Sequence, residues 1–131
     1  MKPDFHDGNL TGMRVTDKTL HLYLTATDKQ KFIVTIPNVR RMRADNFLEG
    51  NIVFDVTVHQ HSELSKEKLR CVYGYNEEEA AKYLSKNMAE IADKKLSLFE
   101  LGSSYGCELL VLFAGTIQIE SESEKRDAVA A

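Results

Sequence analysis

The chain has 131 residues, 43% of them hydrophobic and 28% charged, with 17 basic and 20 acidic side chains for a formal net charge of −3. A chain of this length buries roughly two-thirds of its unfolded surface and holds a core without disulfides or metal, so a collagen, a coiled coil and a disulfide-rich module are excluded, as is a disordered chain, because Leu, Ile, Val and Phe recur throughout. No uncharged stretch approaches the roughly 20 residues that cross a bilayer as a helix.

The first residues, Met1-Lys2-Pro3-Asp4-Phe5-His6-Asp7-Gly8, hold one basic side chain and no apolar run of about 7 to 15 residues, so no signal peptide is expected and the cytoplasm is the expected compartment. Cys71 and Cys107 lack CxxC or zinc-finger spacing and are expected as buried thiols rather than a bridge. The acidic balance, with a sequence pI near 5.8, argues against a general nucleic-acid binder, whose affinity comes mostly from neutralised phosphates.

The residues over 10–15 alternate and predict a first strand with Met13 and Val15 inward. Over 20–26, Leu20, Leu22, Leu24 and Ala26 alternate with His21, Tyr23 and Thr25; over 31–36, Phe32, Val34 and Ile36 share a side. The polar Thr27-Asp28-Lys29-Gln30 between them makes an antiparallel hairpin. Pro37 lacks an amide donor and interrupts the ladder, after which 39–45 starts another strand. Gly50-Asn51 signals a turn, and Ile52, Phe54, Val56 and Val58 then alternate with Val53, Asp55, Thr57, His59 and His61. Residues 60–66 are expected as a loop and 68–75 as a strand with Leu69, Cys71 and Tyr73 on one side.

At Asn76 the period changes. Asn76 with Glu77, Glu78 and Glu79 has the form of a capping box, and the three carboxylates suit the positive end of a helix. Ala80, Tyr83, Leu84, Met88, Ile91 and Ala92 then fall on one face, which predicts an amphipathic helix over about 77–94. A strand follows from Leu96. Residues 108–114, Glu-Leu-Leu-Val-Leu-Phe-Ala, are apolar on both faces, the mark of a strand inside a sheet and covered on both sides. Ile117 and Ile119 alternate with polar neighbours.

These patterns predict an α+β fold, a curved, mostly antiparallel β-sheet of about six to eight strands packed against one main amphipathic helix. No internal repeat or composition shift divides the chain, so residues 1–120 are expected as one domain and 121–131 as a flexible tail.

The run Pro3-Asp4-Phe5-His6-Asp7-Gly8-Asn9-Leu10, followed by an alternating hairpin and then Val39, Phe47 and Gly50-Asn51-Ile52, resembles the immunity protein 50 family and related small bacterial proteins of unknown function. Members carry a Phe-His-Asp element before the first strand and a later Asn-Ile turn into a strong strand. The likeness spans residues 3–58, and Gly8 stands where the family favours alanine. It implies a small, cytoplasmic, β-rich protein that neutralises a partner toxin by binding it, in a contact-dependent or secreted toxin system.

Two histidine pairings bear on chemistry. In His6-Asp7 a carboxylate beside an imidazole fixes its tautomer and raises its basicity, as a general base requires; the structural alternative is that both dock the N-terminal segment through main-chain hydrogen bonds. In His59-x-His61, positions two apart on a strand face the same way and can share a metal with Asp55 or Glu63. The sequence holds no G-x-S-x-G elbow, no G-x-x-x-x-G-K-S/T loop and no G-x-G-x-x-G. Arg40, Arg41 and Arg43 gather a local positive charge in an otherwise acidic chain.

The reading is a non-enzymatic binding protein with no cofactor, no metal and no assigned catalytic residue, meeting a protein partner through Arg40, Arg43, Asp45, Asp55 and His59. The alternatives are a small metal-dependent or acid–base enzyme built on His6, Asp7, His59 and His61, and a homo-oligomeric structural protein joined at a sheet edge.

Overall fold

The computed structural model describes residues 4–122. In chain order the elements are β1 (Asn9–Thr16), β2 (Thr19–Thr25), β3 (Lys31–Ile36), β4 (Val39–Asp45), β5 (Asn51–His59), a 3₁₀ turn at His61–Glu63, α1 (Lys66–Tyr73), α2 (Glu77–Lys94), β6 (Ser97–Tyr105), β7 (Glu108–Phe113) and β8 (Gln118–Ser121). The fold is α+β: the eight strands form one open antiparallel sheet in the order β4-β7-β6-β5-β1-β2-β3-β8, and the long helix α2 packs on it.

The chain path explains why this sheet is curled. β3 and β4 lie six places apart in the strand order, yet only Pro37 and Asn38 join them. A flat sheet at about 4.8 Å per strand would separate them by roughly 29 Å, whereas two linking residues reach about 11 Å. The sheet therefore folds over on itself, and three hydrogen bonds hold the fold-over: Val39 N–H donates to the Lys18 carbonyl at 2.7 Å, Ala114 N–H to the Asn38 carbonyl at 3.3 Å, and the Asn38 side chain to the Ala114 carbonyl at 3.2 Å. Leu20, Leu22 and Leu24 of β2, Val34 and Ile36 of β3, Phe99 and Leu101 of β6 and Leu109, Val111 and Phe113 of β7 fill the inner face.

The outer face carries a second, smaller core. Leu69 and Val72 of α1 and Leu84 and Ile91 of α2 meet Leu96, Leu98 and Leu112. β7 is thus sandwiched, with Leu109, Val111 and Phe113 inward and Leu112 under the helices, as its doubly apolar sequence predicts. α2 begins with the expected capping box: Asn76 Oδ1 accepts from Glu79 N–H at 2.8 Å, and Glu79 Oε1 accepts from Asn76 N–H at 3.1 Å.

Four expectations are corrected. The segment 68–75 is not a strand, since residues 66–73 form the helix α1. Ser65 Oγ accepts from Lys68 N–H and Gly74, at φ +69°, ends the helix. Leu69 and Val72, three apart, are the buried pair, so the helical period wins over an alternation that matches by coincidence. For the same reason Cys71 is exposed; Cys107 is buried as expected, and both are free. In β1 the buried residue is Leu10, Met13 is only partly covered and Val15 is exposed, because a bulge between Leu10 and Gly12 shifts the alternation and β1 pairs with β5 only at Asn9 and Leu10. Ser121 completes β8 and is buried, so the expected tail does not start there; residues 123–131 lie outside the described residues, as do 1–3.

Gly8 belongs to this packing. A β-carbon on it would meet the Thr25 carbonyl oxygen at 2.5 Å and that of Phe5 at 3.0 Å, so the alanine favoured by the resembled family has no room here.

Candidate functional site

Period two places one row of side chains on the outer face where the helices do not reach. Asp45 of β4 stands opposite Glu108 of β7, Glu100 of β6 opposite Leu110 of β7, and Asp55 of β5 opposite Gly102 of β6. With α1 as one wall, this surface becomes a groove of about 420 Å³ lined by Arg43, Asp45, Lys68, Glu100, Gly102 and Glu108, with Cys71 and Glu67 of α1 on its edge. Gly102 gives its floor a position without a side chain. A β-carbon there would lie 2.6 Å from Asp55 Oδ1, so the Asp55 carboxylate leans across a position that has no side chain.

Glu100 anchors the groove wall. It accepts from Lys68 Nζ at 2.5 Å and from His59 Nε2 at 3.1 Å. Burial pushes its carboxyl up, but the hydrogen bonds from Lys68 and His59, together with their charges, outweigh this and hold it below the usual carboxylate range. A depressed carboxylate contributes stability that is complete above its unfolded value, near 4.3, and is lost as pH falls through the lower folded value. Glu100→Gln is accordingly expected to cost about 1 kcal/mol at neutral pH. In urea titrations the gap between the two proteins closes below about pH 4. A gap that stays constant down to pH 2.5 contradicts this role for Glu100.

The arginines have intramolecular work. Arg43 donates to the Cys71 carbonyl at 2.8 Å and to Asp45 at 3.1 Å; Arg41 donates to the Tyr73 carbonyl at 3.1 Å and lies over the Tyr73 ring at 5.5 Å. Carbonyls at a helix C-terminus carry partial negative charge and lack helical partners, so these two guanidinium groups fasten the last turn of α1 to the edge strand β4. Arg40 pairs with Glu90 of α2 at 2.7 Å, and that hydrogen bond lowers the Glu90 carboxyl. Charged side chains along β4 also guard its open edge against pairing with another chain.

Of the five residues expected to meet a partner, Arg43 and Asp45 line the groove, Asp55 leans over its floor and His59 reaches it through Glu100, whereas Arg40 lies away from it against α2. The histidines do not assemble. His6 Nδ1 donates to the Phe54 carbonyl at 2.5 Å and its ring meets Phe54 edge-on; that hydrogen bond, then Asp7, raises its pKa. It thereby docks the N-terminal segment on β5. Phe54 and His59 are five residues apart along one strand, roughly 17 Å at the usual rise, so His6 and His59 share no site. His61 falls in the 3₁₀ turn beyond the end of β5, so it does not continue the face of His59. Among the described residues no group of three or more His, Cys, Asp or Glu side chains is placed to hold a metal.

In sequence Asn51 reads as a turn residue; in the fold it is a hub. Its side chain accepts from Leu48 N–H at 2.8 Å and Cys107 N–H at 2.9 Å and donates to the carbonyls of Leu10 at 3.1 Å and Leu48 at 2.6 Å, using its full capacity while 1% exposed. Nothing in the local sequence separates this role from an ordinary Gly-Asn turn, because two of its partners lie more than forty residues away. The clamp fixes the β4–β5 loop, and that loop exposes Phe47 and Leu48, 45% and 44% accessible. Phe54 and Tyr105 are exposed as well. The β4–β5 loop and the β6–β7 turn are joined through Asn51, and the groove residues Asp45 and Glu108 flank them.

Fold and surface together define an α+β open-sheet protein with a charged groove beside a clamped apolar loop. No protein-family model, no curated protein and no solved structure matches the chain.

Proposed function

We propose that this chain is a non-enzymatic protein-binding module of the toxin-neutralising kind, acting in the cytoplasm on a protein partner. The observation that carries this reading is the Asn51 clamp: a fully bonded buried amide holds in one conformation a loop whose two large apolar side chains face solvent. Fixing a loop before binding removes the ordering cost of the complex, and exposed Phe, Leu and Tyr supply its apolar contacts. The likeness over residues 3–58 to the immunity protein 50 family supplies the toxin-neutralising part of the proposal. Among the described residues no helix is long and apolar enough to cross a membrane.

Co-expression with the product of the neighbouring gene tests the reading. Growth arrest by that product is relieved when the chain is present in at least equimolar amount, and the two proteins elute together. Phe47→Ser with Leu48→Ser weakens the complex about 10-fold to 100-fold, as expected for two central apolar contacts, while the unfolding midpoint stays within roughly 2 °C. Protection by far less than one equivalent, with no complex formed, indicates turnover and overturns the binding reading.

A further inference from the structure

Resting on the protein-binding reading, we propose that the groove between α1 and the outer face of β4, β7, β6 and β5 receives an extended cationic segment of the partner, with a Lys or Arg side chain lying over Gly102. The groove's own cations are already engaged, Lys68 with Glu100 and Arg43 with Asp45 and the Cys71 carbonyl. Asp55, Glu67 and Glu108, by contrast, have no ion pair within 4 Å among the described residues. What the groove offers an incoming chain is therefore net negative charge, with no cation free to greet an acidic one.

Space agrees with charge. The volume of about 420 Å³ falls in the usual range for ligand clefts, about 300 to 1,000 Å³. Gly102 has no side chain, and the Asp55 carboxylate of the neighbouring strand leans over it and faces the groove, where Glu108 also lies. Leu110 adds apolar surface to the lining, which suits the methylene stem of a long basic side chain while its head reaches the carboxylates. The clamped Phe47 and Leu48 follow Asp45 closely in the chain, so a segment leaving the groove on that side continues onto the apolar loop.

Cys71 supplies the readout, because it is exposed and lines the groove while Cys107 is buried. Alkylation of the intact protein by a maleimide is followed with an eight-residue peptide of alternating Arg and Gly, and with its Glu-Gly counterpart. The Arg-Gly peptide at about 1 mM is expected to slow alkylation of Cys71 at least about threefold at low ionic strength, and about 0.5 M NaCl abolishes the effect. The Glu-Gly peptide leaves the rate unchanged. Asp55→Asn with Glu108→Gln, which breaks no ion pair among the described residues, weakens Arg-Gly protection about threefold to tenfold.

No protection by the Arg-Gly peptide, equal protection by the Glu-Gly peptide, or full protection in the double variant overturns the groove assignment. The toxin complex separates the two proposals. If the double variant or the Cys71-alkylated protein binds the partner at full affinity, the groove assignment falls and the binding module stands. If no partner complex forms while the Arg-Gly peptide still protects Cys71, the protein-binding reading falls instead.

Discussion

Asn51→Ala is expected to lower stability by about 3–5 kcal/mol, which for a chain of this size takes roughly 11–18 °C from the melting temperature. The magnitude follows from what is left behind rather than from what is removed. Alanine takes away all four hydrogen bonds at once and strands the Cys107 N–H and the Leu10 carbonyl in buried surroundings, with both polar groups of Leu48 released alongside. Each buried orphan costs about 1–3 kcal/mol. The cavity cannot relax readily, because Gly106, at φ +90°, packs so closely that a β-carbon on it would overlap the Asn51 side chain. Urea unfolding measures the loss, and hydrogen exchange of the Leu48 and Cys107 amides localises it. A change under 1 kcal/mol, with both amides still protected, refutes the hub.

Leu112→Ala is expected to cost about 2–5 kcal/mol. Leu112 is 0% exposed and stands under the helical layer, in the cluster with Leu69 and Val72 of α1, Leu84 and Ile91 of α2, and Leu98 of β6. Truncation removes its contacts and opens a cavity between two rigid layers, and the cost depends on how far α1 settles into the space. α1 has only eight residues, too few to persist alone, so it depends on this contact and on Arg41 and Arg43. Part of the loss should therefore appear as faster exchange in α1, ahead of α2. Leu110→Ala, at a half-buried position on the same face, costs less. Equal effects at the two positions, or exchange unchanged in α1, contradict this account of the outer core.

The two predictions bear differently on function. Asn51→Ala frees the loop that presents Phe47 and Leu48, so it should weaken partner binding even where the protein remains folded. Leu112→Ala moves the α1 wall of the groove and should affect a cationic ligand before it affects the loop.

Several elements are legible in the sequence because their causes are local. The capping box at Asn76 and the 3.6-residue period of α2 are interactions among neighbours in sequence, and the alternation of β2 and β3 reports which face each strand buries; in β5 the expected face fails at the start, because register shifts on both sides of Val53 bury that residue and leave Phe54 exposed. The doubly apolar β7 announces its interior place for the same reason. α1 is not legible: eight residues satisfy an alternation and a helical period equally well, and what chooses the helix is the Leu69–Val72 pair finding Leu98 and Leu112 beneath it.

The site is legible only as residue types. That Asp45, Asp55 and His59 could face one partner follows from charge, but their meeting at a groove follows from a strand order that brings β4, β7, β6 and β5 side by side. The arginines make the contrast sharpest. Arg40, Arg41 and Arg43 read in sequence as a basic patch awaiting a partner, and in the fold they hold the carbonyl end of α1 and the carboxylate of Glu90. Local periodicity and capping specify the elements whose partners lie within a few residues. The direction of a charge, the role of Asn51 and the existence of the groove depend on groups tens of residues away, and it is the strand order β4-β7-β6-β5-β1 that brings those groups into reach.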